Sequence, residues 1–213
     1  KIPEPVVLYS EQFTDFLFIS LVEDVFKTDA SDPNVRIALD AAWISFAQLI
    51  RWGITTLEDV ETSEIESSFI WRESGRAIVV SDTLDNGAGY SKAYGKMENV
   101  EKLFKHIENK LINNQLLSQH HSENCVSSCY KCLRNYENRM YHNQLNWRLA
   151  VDLFYAFKNA GESVYPFKDY WKEIISEQLL VQLNVFTSRS YKLAEFKNMT
   201  YFCDNDRLLM PVH

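Results

Sequence analysis

The sequence predicts an α+β domain: a small mixed or antiparallel sheet with packed helices and a zinc knuckle. Long stretches with apolar residues three and four apart alternate with short β-branched and aromatic runs, and turn residues separate them. Three of the four cysteines crowd between Cys125 and Cys132, in a segment otherwise rich in polar residues. At 213 residues with 46% hydrophobic and 14% aromatic content, the chain can bury a real core and is not a disordered one.

Val6 to Tyr9 and Phe13 to Leu21 read as strands, the second so continuously apolar that both its faces are expected to be buried. Asp32-Pro33 then supplies an N-cap followed by proline at the first helical position. The helix it opens runs to about Trp52, with Val35, Leu39, Ala42, Phe46 and Leu49 on one stripe and Ile37, Trp43, Ile44 and Ile50 off it. Such a helix is covered on more than one side, and Gly53 is expected to end it. Glu58, Asp59, Glu61, Glu64 and Glu66 form an acidic run, read as a solvated face or strand edge rather than a metal site.

Phe69 to Trp71 and Ala77 to Val80 read as a hairpin around Glu73-Ser74-Gly75. The second strand feeds into Asp82-Thr83-Leu84-Asp85-Asn86-Gly87-Ala88-Gly89-Tyr90, a glycine turn where phosphate loops can occur. A Walker loop fails here, because Lys96 is followed by Met97 and no glycine lies at the required spacing. The turn is therefore expected to organise the fold. Met97, Val100, Phe104, Ile107, Leu111 and Ile112 predict a helix leading to the cysteines; Leu145, Leu149, Leu153 and Phe157 predict another, ending near Gly161. A third is expected from Asp169 to about Leu183, then two short strands between Tyr191 and Val212.

Cys129 and Cys132 have the two-residue gap that lets two thiolates of a tight turn face one ion. Zn²⁺ takes four soft or borderline ligands, so Cys125, Cys129 and Cys132 need one more donor. His121, four residues before Cys125, and His142, ten residues after Cys132, are both in reach. Buried free thiols and a redox pair are the other readings. The crowded cysteines do not resemble a secreted disulfide framework and fit a reducing cytoplasm. No apolar run is long enough to cross a bilayer, the start has no apolar signal core, and the lysine at position 1 reads as a trimmed piece of something longer.

The net charge of −7 excludes a general polyanion binder, so nucleic-acid contact would have to come from a local patch. Lys131, Arg134, Arg139 and Arg148 stand against Glu137 alone between Tyr130 and Arg148, interleaved with Tyr130, Tyr136, Tyr141 and Trp147. Lys131, Arg134, Tyr136 and Arg139 are the candidate nucleic-acid residues, the cations for phosphates and the ring for bases. The bland reading is that the rings pack inward and the cations are solvated.

The order of these features resembles a known family. Thr14-Asp15-Phe16-Leu17 precedes a long alanine-rich helix; the Asp82 to Tyr90 turn follows, with Asn86 where the pattern has glycine. A helix then leads to Ser128-Cys-Tyr-Lys-Cys-Leu-Arg-Asn-Tyr-Glu-Asn138, and His142, Leu145 and Asn146 come after it. This resembles the MrfA-type zinc-binding domain at the C-terminus of bacterial superfamily 2 helicases, and looks closest to the DrmB group of DISARM phage-defence proteins. The likeness spans about residues 5 to 160, within a domain taken as 1–160; residues 161–213 read as a C-terminal extension packed on it.

The resemblance implies a structural Zn²⁺, bacterial cytoplasm, and an accessory role in DNA repair or phage defence beside a helicase motor, in the same polypeptide or a partner subunit. Relatives hold zinc through Cys-x-Cys-x-x-x-Cys-x-x-Cys, of which the last three match Cys125, Cys129 and Cys132 and the first falls on Glu123. His121 is then the nearest substitute ligand and His142 the alternative. DNA contact would be weak and indifferent to sequence. A protein-interaction module that docks a helicase partner without touching DNA is the competing reading, and a zinc hydrolase or nuclease with Glu123 as base the third. The chain has no ATPase motif of its own.

Overall fold

The computed structural model describes residues 13–20, 33–72, 75–159, 170–171, 174–196 and 199–209. The expected strand at Val6 to Tyr9, the cap at Asp32, the Glu73-Ser74 turn and Gly161 lie outside them. Helices pack on a three-stranded antiparallel sheet, and a second such sheet follows near the C-terminus, so the fold is α+β. Among the described residues no helix is long and apolar enough to cross a membrane.

The first sheet has the order β1-β3-β2, from β1 (Phe16–Ser20), β2 (Ile65–Arg72) and β3 (Gly75–Asp82). Its register pairs Leu17 with Val80 and Val80 with Ser67, and the residues two along, Ile19, Ile78 and Phe69, point the same way. That face packs on α1 (Pro33–Glu58). Phe16 and Phe18 point to the other face and stay exposed, Phe16 by 58%. Among the described residues β1 lies at the end of the sheet and only its Leu17 and Ile19 face is covered, so the expected burial on both faces is not seen there.

The central helix α1 has Trp43, Ile44, Phe46, Leu49, Ile50 and Ile54 buried, covering more than one side as its pattern demands. It does not stop at Gly53. An added Cβ there would lie 2.4 Å from Ile107 Cγ1, so the glycine marks a close helix crossing inside α1. The crossing partner is α3 (Met97–His106), reached through the four-residue α2 (Tyr90–Ala93), and α3 continues as a π-helix over Ile107–Leu116. Ile107 and Ile112, and Leu111 and Leu116, are buried pairs five residues apart, the spacing that an i→i+5 helix aligns. After α4 (Gln119–Asn124), α5 (Trp147–Lys158) closes the core, with Phe157 4.8 Å from Phe46 and Phe154 stacked 5.1 Å from Phe104.

Beyond α5, a π-turn at Ile174–Leu179 runs into α6 (Leu180–Thr187), and β4 (Lys192–Phe196), β5 (Met199–Cys203) and β6 (Leu208–Leu209) form the second antiparallel sheet. Trp171, Ile175, Tyr191 and Phe202 make a small core of their own, and Leu149 and Tyr170 pack against both cores.

The glycine turn wraps around a carboxylate of its own strand. Asp82, 1% exposed, accepts from the backbone N–H groups of Ala88, Gly89 and Tyr90 through Oδ2, and from the N–H and hydroxyl of Ser91 through Oδ1, at 2.7–3.1 Å. The Asn86 and Gly87 N–H groups go to the carbonyls of Phe13 and Leu84. The donors a phosphate would require are thus already engaged. Asn86 (φ 68°), Gly87 (φ 74°) and Gly89 (φ 88°) are all left-handed, and asparagine tolerates that region best among residues with a side chain. Of the acidic run, Glu64 closes a turn on the Glu61 N–H and Glu58 accepts from the Tyr94 hydroxyl, while Glu66 is exposed.

Two outcomes follow from this turn. Gly87→Val places a Cβ 2.8 Å from Asp15 Oδ2 at a left-handed φ, so it should cost about 1–3 kcal/mol and lower the melting temperature equally with and without ATP. Saturable ATP binding abolished by that change would overturn the structural role. Burial pushes the Asp82 carboxyl up, but Ser91, Gly89 and Ala88 more than offset it and hold it below the usual carboxylate range. Its stabilisation is present above the ordinary value of about 3.9 and is lost as pH falls through the lower native value. Asp82→Asn should accordingly destabilise by roughly 1.5–3 kcal/mol at neutral pH, with the difference from wild type narrowing below about pH 4 in thermal melts.

Candidate metal centre

The π-helix ends at Leu116 and Ser118 starts α4, its hydroxyl accepting from the His121 N–H at 3.3 Å. Cys125 ends α4 with its N–H on the His121 carbonyl at 2.9 Å. Four residues apart on this turn, His121 and Cys125 face the same way. The chain then folds back through a knuckle in which the N–H groups of Cys132 and Arg134 both bond the Cys129 carbonyl at 3.1 Å. The Cys129 N–H points at Cys132 Sγ, 3.1 Å away.

The ligand atoms of His121, Cys125, Cys129 and Cys132 all lie within 4.8 Å of one another. Cys129 Sγ is 3.6 Å from Cys132 Sγ and 3.8 Å from His121 Nε2, and Cys125 Sγ is 4.0 Å from Cys132 Sγ. A tetrahedral zinc with bonds of about 2.3 Å to sulfur and about 2.0 Å to nitrogen sets edges of roughly 3.8 Å and 3.6 Å. The donor set therefore fits such an ion in both chemistry and size.

The imidazole is oriented for the task. His121 Nδ1 lies 3.1 Å from the Leu116 carbonyl, which can only accept, so Nδ1 carries the proton and Nε2 offers its lone pair to the sulfurs. Burial holds this histidine below its ordinary pKa, against the opposing pull of that carbonyl and helped by the Arg148 charge. Burial, with the neighbouring Cys129 thiol, raises Cys125 to about 11, and burial raises Cys132 as well. A cation entering here displaces thiol protons, so its affinity rises with pH.

Outer contacts fix the knuckle to α5. Trp147 donates its indole N–H to the Cys125 carbonyl at 2.9 Å and its backbone N–H to the Ser127 carbonyl at 2.9 Å. Arg134 donates Nε to the Ser128 hydroxyl at 2.9 Å and Nη2 to the His142 carbonyl at 3.3 Å.

His142 is not in the cluster. Its Nε2 meets the Asn135 carbonyl at 2.9 Å and Asn138 Oδ1 at 3.0 Å. That contact belongs to a buried polar network without a periodic signature in the sequence. Asn135 and Asn138 bond each other reciprocally, Asn138 Nδ2 donates to Gln48 Oε1 and the Leu133 carbonyl at 2.8 Å, and Gln48 Nε2 donates to the Ser67 carbonyl. Arg51, buried on α1, donates to the Thr62 carbonyl and Asn135. The traceable signal was polar residues, Gln48 and Arg51, amid the apolar positions of α1.

The four nucleic-acid candidates separate. Lys131, Tyr136 and Arg139 are exposed, and the Arg139 guanidinium lies 4.7 Å from the Tyr136 ring centre. Arg134 is half-buried and holds the loop. Tyr130, 72% exposed like Tyr136, joins the outward set, its ring edge-on to His142 at 5.5 Å. Trp147 and Arg148 are buried and Tyr141 half-buried, so these three face inward.

The chain matches no family model, no curated protein and no solved structure.

His121→Ala should weaken metal binding beyond the roughly 10–100-fold that loss of an outer-shell partner costs. His142→Ala should leave metal affinity near wild type and lower the melting temperature by loosening the Asn135–Asn138 turn. Competition with a chromophoric chelator, alongside thermal melts, checks both. The reverse ranking would make His142 the ligand.

Proposed function

We propose that this chain is a zinc-stabilised accessory domain of a helicase-like DNA-processing protein, acting in bacterial DNA repair or phage defence. The observation that carries the reading is the convergence of His121, Cys125, Cys129 and Cys132. Three sulfurs and an imidazole complete a tetrahedron and leave no position for a substrate or an activated water, which is the mark of a structural ion. Glu123, the only base the hydrolase reading offered, is exposed and accepts from Gln119 at 2.9 Å. The order of the Thr14-Asp15, Asp82 to Tyr90 and Ser128 to Asn138 motifs supports a place among MrfA-type zinc-binding domains. The ATP-driven motor would be supplied by the rest of the polypeptide or by a partner subunit, and a reducing cytoplasm would keep the thiols available.

Strand guidance would fall to the outer surface of the knuckle. Lys131 and Arg139 are exposed and, among the described residues, form no salt bridge, and the Tyr130 and Tyr136 rings stand beside them. Cations meet phosphates and open rings stack unpaired bases at roughly 1–3 kcal/mol each. A second reading, docking of a helicase partner without DNA contact, is favoured by Val126 and Met140, 62% and 69% exposed on the same segment.

Purified protein is expected to hold about one zinc per chain by elemental analysis, in line with the tetrahedral site; carefully prepared protein without zinc would refute the proposal. DNA binding is expected to be weak, salt-sensitive and blind to sequence. Lys131→Ala with Arg139→Ala should flatten the slope of log affinity against log salt by about 1–2, at roughly 0.7 per single-strand phosphate contact. Unchanged affinity at low salt, with a helicase partner still bound, would favour the docking reading instead.

A further inference from the structure

Arg148, the second residue of α5, is 3% exposed and serves two parts of the chain at once. Its Nη1 donates to the Val126 carbonyl at 2.7 Å and reaches the Cys125 carbonyl at 3.5 Å. Its Nε donates to the Tyr170 carbonyl at 2.6 Å. The guanidinium lies 4.3 Å from the Trp147 ring centre and 5.9 Å from that of Trp171. Trp147 bonds the Cys125 carbonyl and sits edge-on to His121 at 5.4 Å. On the other side, the Tyr170 hydroxyl and the Trp171 indole N–H, the latter at 2.8 Å, both donate to the Asp152 carboxylate. Trp171 continues into the core shared with Ile175, Tyr191 and Phe202.

We propose that metal occupancy of the knuckle and docking of the 170–209 unit on α5 are one linked equilibrium, transmitted through Arg148. A bound ion locks the backbone at Cys125 and Val126 with its carbonyls turned to the guanidinium. When the ion leaves, the Val126 carbonyl, which no Trp147 bond holds, can turn away, and the guanidinium loses a short acceptor. A shift of the guanidinium then weakens its contact with Trp171 and its bond to the Tyr170 carbonyl. The C-terminal unit then loses its seat. Linkage makes the effect reciprocal: a loosened C-terminal unit weakens metal binding by the same factor.

The linkage rests on the metal reading above, and hydrogen exchange on the full chain separates the two. After chelation, amides in 174–196 and 199–209 are expected to exchange about 10-fold faster or more, a coupling of ordinary size, while those of residues 42–50 in α1 hold. Adding zinc back should restore protection. Faster exchange confined to 125–133 would overturn the linkage alone, whereas protein that takes up no zinc would overturn both readings. Phe202→Ala, in β5 and the second core, supplies the reverse arm. It should open 174–196 and 199–209 and lower zinc affinity, measured by chelator competition. An opened unit with wild-type zinc affinity would overturn the proposal.

Discussion

Three sulfurs and one imidazole nitrogen converge within 4.8 Å where the chain, from Cys125 to Asn138, has almost no regular secondary structure. Few buried apolar side chains hold that stretch, so an ion bound by its thiols and His121 would add its binding free energy to the folding of the segment. Several contacts radiate from the same loop. The Cys125 and Val126 carbonyls reach Trp147 and Arg148, and the Ser128 hydroxyl reaches Arg134. Tyr130, Lys131, Tyr136 and Arg139 are left on the outer surface.

The rest of the fold supplies a rigid wall for this loop. Helix α1 holds the sheet on one side and α5 on another, and its polar residues Gln48 and Arg51 carry hydrogen bonds from the strand and turn residues Ser67 and Thr62 to Asn138 and Asn135. A buried polar network of this kind costs free energy unless each member is satisfied, so it fixes one seating of the knuckle against α1. The glycine turn obeys the same logic at the other end of the sheet, where the Asp82 carboxylate takes the N–H groups of residues 88 to 91. A position suited to phosphate in other folds is here spent on holding α2 to β3.

What the sequence disclosed follows from periodicity and chemistry. The α+β class, the helices over α1, α3 and α5, and the crowding of Cys125, Cys129 and Cys132 could be read directly, because each repeats or clusters along the chain. Gly53 lies inside α1 because it admits Ile107, and along the chain such a glycine looks the same as one that terminates a helix. The apolar run at Phe16 to Ser20 does not reveal that, among the described residues, it lies at the end of the sheet. Within the knuckle there is no period to say which side chains turn inward. Arg134, Arg148 and Trp147 therefore looked like Lys131 and Arg139, although the structure uses them to hold carbonyls and a hydroxyl. His121 and His142 were both in reach by spacing, and the Leu116 carbonyl that orients His121 became visible only with the π-helix in place.

X-ray absorption at the zinc K-edge of the loaded protein reads this ligand set. Three sulfurs at about 2.3 Å and one imidazole nitrogen at about 2.0–2.1 Å are expected, with no further light ligand. A first shell with fewer than three sulfurs, or with an oxygen in place of the imidazole, would contradict it.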